Sequence, residues 1–166
     1  MNKYYYGVNI IKIAGILTAR GLADNRTINY IARNLRTQDR REIEAQGKDP
    51  KEEIISSVMS SKECYGAFYG DEPLALFGIA DNIDGTSIWM LGTRNVPKHV
   101  KALISCGTEY INEKLKDHET MYNYISMKNK KALRFIEHAG AEIDKDPVVT
   151  ENGTKFVKFT LRRKHV

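Results

Sequence analysis

Val100, Leu103, Ile104, Gly107, Tyr110, Ile111 and Leu115 recur at the three-and-four spacing of one buried helical face. A strand-like segment stands on either side, residues 87–91 before and 122–127 after. At about 1.5 Å per residue the helix runs roughly 25 Å, long enough to cross a sheet. A strand, a crossing helix and a second strand can return to one sheet only as a parallel pair, and such crossovers are right-handed. Ligands of such sheets gather at the carboxyl ends of the parallel strands, beside the start of the crossover helix. This unit fixes the fold class more than any other feature of the chain.

The remaining segments supply antiparallel neighbours. Residues 64–69 and 74–80 flank Gly70-Asp71-Glu72-Pro73 and form a hairpin. Residues 82–85 turn the chain into the strand at 87–91. Residues 141–150 and 155–162 close the chain around Asn152-Gly153, a hairpin turn signal. In the last strand Val157, Phe159 and Leu161 alternate with Lys158, Thr160 and Arg162, leaving one face wet. Ile28, Tyr30 and Ala32 against Ile31 and Leu35 read as a strand as well. A short helix follows, capped by Thr37 and closed by Gly47. Asp49 and Pro50 start another helix, with Glu52 placed to complete a capping box and Ile54, Ile55, Val58 and Met59 as its buried stripe. A last helix spans 129–139, turning Ala132, Phe135, Ile136 and Ala139 inward and ending at Gly140. The order is β-α-α-β-β-β-α-β-α-β-β: a single mixed α/β domain, its sheet mostly antiparallel with one parallel crossover.

Residues 1–24 differ in texture and form an N-terminal extension to a domain at 25–166. Tyr4-Tyr5-Tyr6 and the apolar run at 8–17 fit neither helical nor strand periodicity. Lys12 interrupts any signal-peptide core, so the segment packs on the domain or grips a partner. Gly21 to Asn25 connects it to the rest. The chain of 166 residues is 42% apolar, which excludes intrinsic disorder, and it holds no apolar run of membrane-spanning length. Cys64 and Cys106 form no CxxC pair, and the four histidines lack ligand spacing, so no metal is expected. The excess of 26 basic over 21 acidic residues, +5, is concentrated at Lys128, Lys130 and Lys131 and at Arg162 to Lys164. It is too small, and aromatic interleaving too sparse, to make nucleic acid an expected partner.

The segment Asn129-Lys130-Lys131-Ala132-Leu133-Arg134-Phe135-Ile136-Glu137-His138-Ala139-Gly140-Ala141 resembles the penultimate-helix motif of the GNAT acetyltransferase superfamily: Asn, Ala three on, an aromatic six on, then Gly. Residues 87–127 lie where that superfamily places its acetyl-CoA strand and pyrophosphate helix. Ile88-Trp89-Met90-Leu91-Gly92 and Tyr122-Asn123-Tyr124-Ile125, with the Asn129 segment, resemble more closely the small internal virion proteins of short-tailed phages, whose chains look like truncated members of the superfamily. This second similarity covers residues 33–162.

The resemblance implies acetyl-CoA as cofactor, with Leu91, Gly92, Arg94, Lys98, His99 and Asn129 as its contacts. Acetyl transfer also needs a base, for which Asp81, Asp84, Glu72 and His99 are candidates by their placement near the hairpin and the strand exit, and an acid, for which Tyr122 or Tyr124 could substitute from the neighbouring strand. Two departures count against turnover. The superfamily's phosphate loop carries glycines after its Arg or Gln, whereas this chain reads Arg94-Asn95-Val96-Pro97-Lys98-His99, and Pro97 removes an amide donor. The usual tyrosine of the penultimate helix is Phe135, which has no proton to give the departing thiolate. The leading expectation is therefore a phage protein using the fold as a scaffold or interaction module, in the host cytoplasm or the virion, with a phage or host protein as partner and room for self-association. The alternative is a working N-acetyltransferase on a protein or small amine.

Overall fold

The computed structural model describes residues 3–13, 21 and 25–165. Part of the apolar run, from residue 14, and most of the connection before Asn25 lie outside the described residues. The sheet has nine strands among those described: β1 (Tyr4–Tyr5), β2 (Val8–Lys12), β3 (Glu63–Tyr69), β4 (Glu72–Asn82), β5 (Gly85–Gly92), β6 (Thr120–Ser126), β7 (Glu142–Ile143), β8 (Val148–Val149) and β9 (Lys155–Arg162). Their order is β1-β2-β3-β4-β5-β6-β9-β7, with β8 also on β9. Every pairing is antiparallel except β5 with β6, the pair required by the crossover helix α4 (Val100–Asp117). Strands β1 and β2 extend the sheet beyond β3, with Val8 opposite Tyr69.

Helices α1 (Arg26–Asn34), α2 (Thr37–Ala45) and α3 (Pro50–Ser60) cover one face, while α4 and α5 (Lys130–His138) cover the other. Alternation along β4 divides the core between them. Leu76 packs with Ile28, Ile31 and Ile54 under the first group, and Phe77 with Tyr110, Met121 and Ile136 under the second.

Several expectations are corrected. The segment after Asn25 is helix α1 rather than a strand. Asn25 Oδ1 accepts from the amides of Thr27 at 2.9 Å and Ile28 at 3.3 Å, and Ile28, Ile31, Ala32 and Leu35 form a three-and-four stripe that outweighs the apparent alternation. Helix α2 starts at Thr37, but its cap position is Arg36 and no side chain caps it. Asp49 caps α3 by accepting from the Glu52 amide at 3.0 Å, whereas Met59 at its other end is exposed. On α4 the inward line is Ala102, Cys106, Tyr110 and Lys114, so Val100 and Ile104 face outward. Lys114 is tolerated inside because its Nζ lies 2.7 Å from Glu63 Oε1. The strand expected over 141–150 exists only as β7 and β8, parted by the Asp144 to Pro147 stretch, where Pro147 has no amide to pair. No helix of the described residues is long and apolar enough to cross a membrane.

Candidate functional site

The parallel strands β5 and β6 pair in register only at Thr86–Met121 and Ser87–Tyr122. Beyond Ser87 they part, and their carboxyl ends form a V. A parted pair leaves main-chain N–H and C=O groups that need partners, and in this chain side chains and a neighbouring segment supply them. At the apex Asn123 bridges the strands: its Nδ2 donates to Ile88 O at 2.7 Å and its Oδ1 accepts from the Tyr124 amide at 2.8 Å.

At the mouth, the link from α1 to α2 lies along β5. The Thr93 amide points to β4, donating to Leu74 O, so Gly92 and Arg94 present their polar groups to the open side. Arg36 N donates to Gly92 O and Arg94 N to Asn34 O, both at 2.9 Å, with Leu35 and Thr93 as bridge partners. The Gly92 amide donates to Asp39 Oδ2 at 2.8 Å. On β6 the Ser126 amide donates to Glu42 Oε1 at 3.2 Å, and Asn129 Nδ2 reaches the same oxygen at 3.0 Å. Asp39 and Glu42, one helical turn apart on α2, thus hold one wall of the V each.

The Asp39 side chain is only 5% exposed and is gripped by Arg36, whose Nε and Nη2 lie 2.9 and 3.0 Å from its oxygens. Burial still raises its pKa above the ordinary value, against the lowering effects of Arg36 and the Gly92 amide. Glu42 is raised as well, chiefly by burial and then by the Asp39 charge, while Asn129 and the Ser126 amide lower it. Gly92 is needed at this point. A Cβ there would lie 2.8 Å from Val96 Cγ2 and 3.2 Å from Arg36 Nε.

The start of the crossover helix is also committed. Residues Val96–His99 form a 3-10 turn ahead of α4. Val96 N donates to Thr93 O at 3.1 Å, Lys98 N to Asn95 O at 3.0 Å, and Asn95 N to Thr93 Oγ1 at 3.4 Å; Pro97 has no N–H. From Asn95 to Lys98 every main-chain donor is engaged within the turn or missing, so this stretch offers none to a pyrophosphate.

Of the residues singled out in the sequence, Gly92 and Asn129 stand at the V, one bonded to Asp39 and the other to Glu42. Asn129 caps α5, accepting from the Ala132 amide at 3.3 Å, while its other end holds Glu42. Leu91 points into the core under α1–α3. Lys98 and Arg94 are exposed, and His99 stacks on Tyr69. Tyr122 and Tyr124 lie on β6 with ring centroids 6.4 Å apart, Lys158 standing over Tyr122. Asp81 is at the far, closed end of β5, bonded to Thr86 Oγ1 at 2.8 Å, and Asp84 is in the turn beside it. Glu72 accepts from the Tyr30 hydroxyl at 3.1 Å and is also bonded to Asn95. Phe135 packs on Gly107 within the core, and the buried Cys106 thiol is pushed up to about 12. The described residues contain no cluster able to hold a metal ion. Sequence reading missed Asn34, Arg36, Asp39, Glu42 and Asn123. Polar residues three apart on a charged helix look like a solvated face, and no local pattern marks them otherwise.

No family model and no curated protein matches the chain. Solved structures do, and their agreement is with GNAT acetyltransferases. The ribosomal-protein-S18-alanine N-acetyltransferase of Escherichia coli superposes with a TM-score of 0.61 at 12% identity, covering 96% of each chain. A GNAT-family acetyltransferase of Bacillus anthracis gives 0.63 at 11% identity, covering 99% of this chain and 100% of that one. A Bacillus subtilis acetyltransferase in complex with CoA gives 0.52 at 13%, over 93% and 98%. This chain has the GNAT fold. At these identities the likeness concerns architecture, and none of these neighbours is a virion protein.

Proposed function

We propose that this chain is a GNAT-fold interaction module that does not carry out acetyl transfer. One observation carries this reading. The open edge of β5 is paired with the chain's own residues 34–36 and with Asp39, so a ligand would have to displace an extended segment and a half-buried ion pair to reach Gly92. The internal bonds of residues 95–98 and the phenyl ring of Phe135 support it. Protein contact in an infected cell or in the virion is the role we infer for such a module; it rests on the resemblance of residues 88–92, 122–125 and 129–141 to phage internal virion proteins, which the solved neighbours do not share.

Titration calorimetry of acetyl-CoA into the purified chain tests it. No saturable heat is expected at millimolar cofactor, and transfer of acetyl groups to an amine panel should stay at the uncatalysed rate. Saturable micromolar binding would overturn the reading and favour an N-acetyltransferase whose α1–α2 link moves aside.

A further inference from the structure

The rim of the sheet near the start of α4 combines exposed aromatic faces with cations. Tyr6 and Gly7 form the two-residue turn from β1 to β2, with φ of +46° and +86°. Such turns favour Asn, Asp or Gly at both positions, and a bulky aromatic at positive φ is an outlier that stores local strain. Tyr6 is 67% exposed, with Lys101 Nζ 5.7 Å from its ring centroid. Tyr69, at the end of β3, lies beside Gly7, where an added Cβ would be 3.2 Å from its ring. Tyr69 is 50% exposed as a residue, and the His99 ring lies tilted against its ring at a centroid distance of 4.4 Å. Lys98 and Lys101 flank His99, both exposed. The acidic neighbours are few: Asp71 lies in the adjacent turn, and Glu72 is engaged by Tyr30 and Asn95.

We propose that this rim binds single-stranded nucleic acid, with bases stacked on Tyr6 and Tyr69 and phosphates passing Lys98 and Lys101. Sequence-tolerant single-strand binding needs this combination: aromatic platforms to take unpaired bases, and a basic track beside them for the backbone. A duplex hides its base faces and cannot use the rings. An acidic peptide would answer the lysines but leave the rings without a partner. On β6 Tyr124 is exposed as well, but its neighbour Tyr122 is only half-exposed, stands edge-on to it and carries Lys158 over its ring. The rim lies outside the V between β5 and β6, so this proposal does not depend on whether that V accepts a cofactor.

Fluorescence anisotropy of a short fluorescein-labelled oligouridylate, titrated with the full chain at low salt, tests it. Tyr6→Ala should weaken binding by about tenfold, in line with the loss of one stacked base. Lys98→Ala with Lys101→Ala should reduce the slope of log affinity against log salt by about 1.4, the share of two phosphate contacts on a single strand. Lys130→Ala with Lys131→Ala serves as a remote control and should change affinity less than about twofold. Circular dichroism of each variant establishes that it is folded. The proposal is overturned if no anisotropy change occurs at high micromolar protein, if duplex binds as tightly as single strand, or if polyglutamate displaces the probe as well as unlabelled oligouridylate does. It is equally overturned if affinity is lost with Lys130 and Lys131 while the Tyr6 variant binds normally.

Discussion

The contact between Arg36, Asp39 and Gly92 makes an asymmetric prediction. Replacing Asp39 with Ala leaves the Gly92 amide buried without its acceptor, while Arg36, 31% exposed, can turn to water. The cost is that of one unmet buried donor plus a little lost packing, about 2 kcal/mol. Replacing Arg36 with Ala is worse, although Arg36 is the more exposed partner. It strands a carboxylate that is 5% exposed with only one main-chain donor, and an uncompensated buried charge costs about 3–5 kcal/mol. The double variant has neither the stranded charge nor the cation and should resemble Asp39→Ala alone, so it should be more stable than Arg36→Ala. At about 2–4 °C per kcal/mol for a domain of this size, Arg36→Ala should lower Tm by about 10 °C and the double variant by about half that. Urea unfolding reports the energies. Trp89, the one tryptophan, is a suitable probe because its indole N–H donates to Ser61 Oγ at 2.8 Å beneath the α1–α3 layer. The Arg36→Ala penalty should also shrink in acid, because Asp39 can then take up a proton. Asp39→Ala proving the costlier single change, or a double variant as unstable as the two singles added together, would refute this account of the V.

Two other outcomes follow from named contacts. Asp39 and Glu42 both have pKa values raised above the unfolded values, so the folded chain binds protons more readily and their contribution to stability falls as pH rises from about 4 upward. Glu42→Gln keeps an oxygen for the Ser126 amide and Asn129 but removes the charge; its Tm relative to the parent chain should therefore climb with pH in scanning calorimetry, and a constant difference would count against it. Gly107→Ala would place a Cβ 3.0 Å from Phe135 Cζ, so it should lose about 1 kcal/mol in the parent chain but gain about as much with Phe135→Leu, where only the better helix propensity remains; urea unfolding of the pair decides.

The architecture was largely legible because periodicity speaks for elements that bury a face. Tyr110 and Ile111 on α4 and Phe159 and Leu161 on β9 are buried as their spacing demands, and the β5–α4–β6 crossover follows from them. The misreading of α1 has a definite cause. Ile28, Tyr30 and Ala32 alternate over a window too short to separate strand from helix, and the decisive feature was the cap at Asn25, one residue before the helix begins and three before Ile28. Val100 and Ile104 show the limit of a stripe read without its neighbours: the helix axis is rotated so that Ala102 and Cys106 take the inner line. The site was legible only at Gly92 and Asn129, which motif spacing singled out. Asp39 and Glu42 had no signal because their burial comes from where α2 lies against β5 and β6, a contact between residues more than 50 positions apart.

The parting of β5 and β6 creates a demand that any chain with this topology must meet. Past Ser87, each residue facing the gap brings an amide and a carbonyl that lose hydrogen bonds to water on burial, at about 1–3 kcal/mol for each group left unmet. A bound molecule can satisfy such an edge, and so can the protein. This chain uses Asn123 at the apex, residues 34–36 along β5, Asp39 on Gly92 and Glu42 on Ser126. The partners come from two directions and include a half-buried ion pair, so they cannot be given up one at a time without leaving a charge or an amide stranded. A ligand entering here would need contacts good enough to replace all of them at once, and the start of α4 has already spent its amides from Asn95 to Lys98. Both conditions set the fold apart from the chemistry it could host, and they do so through contacts that single substitutions can test.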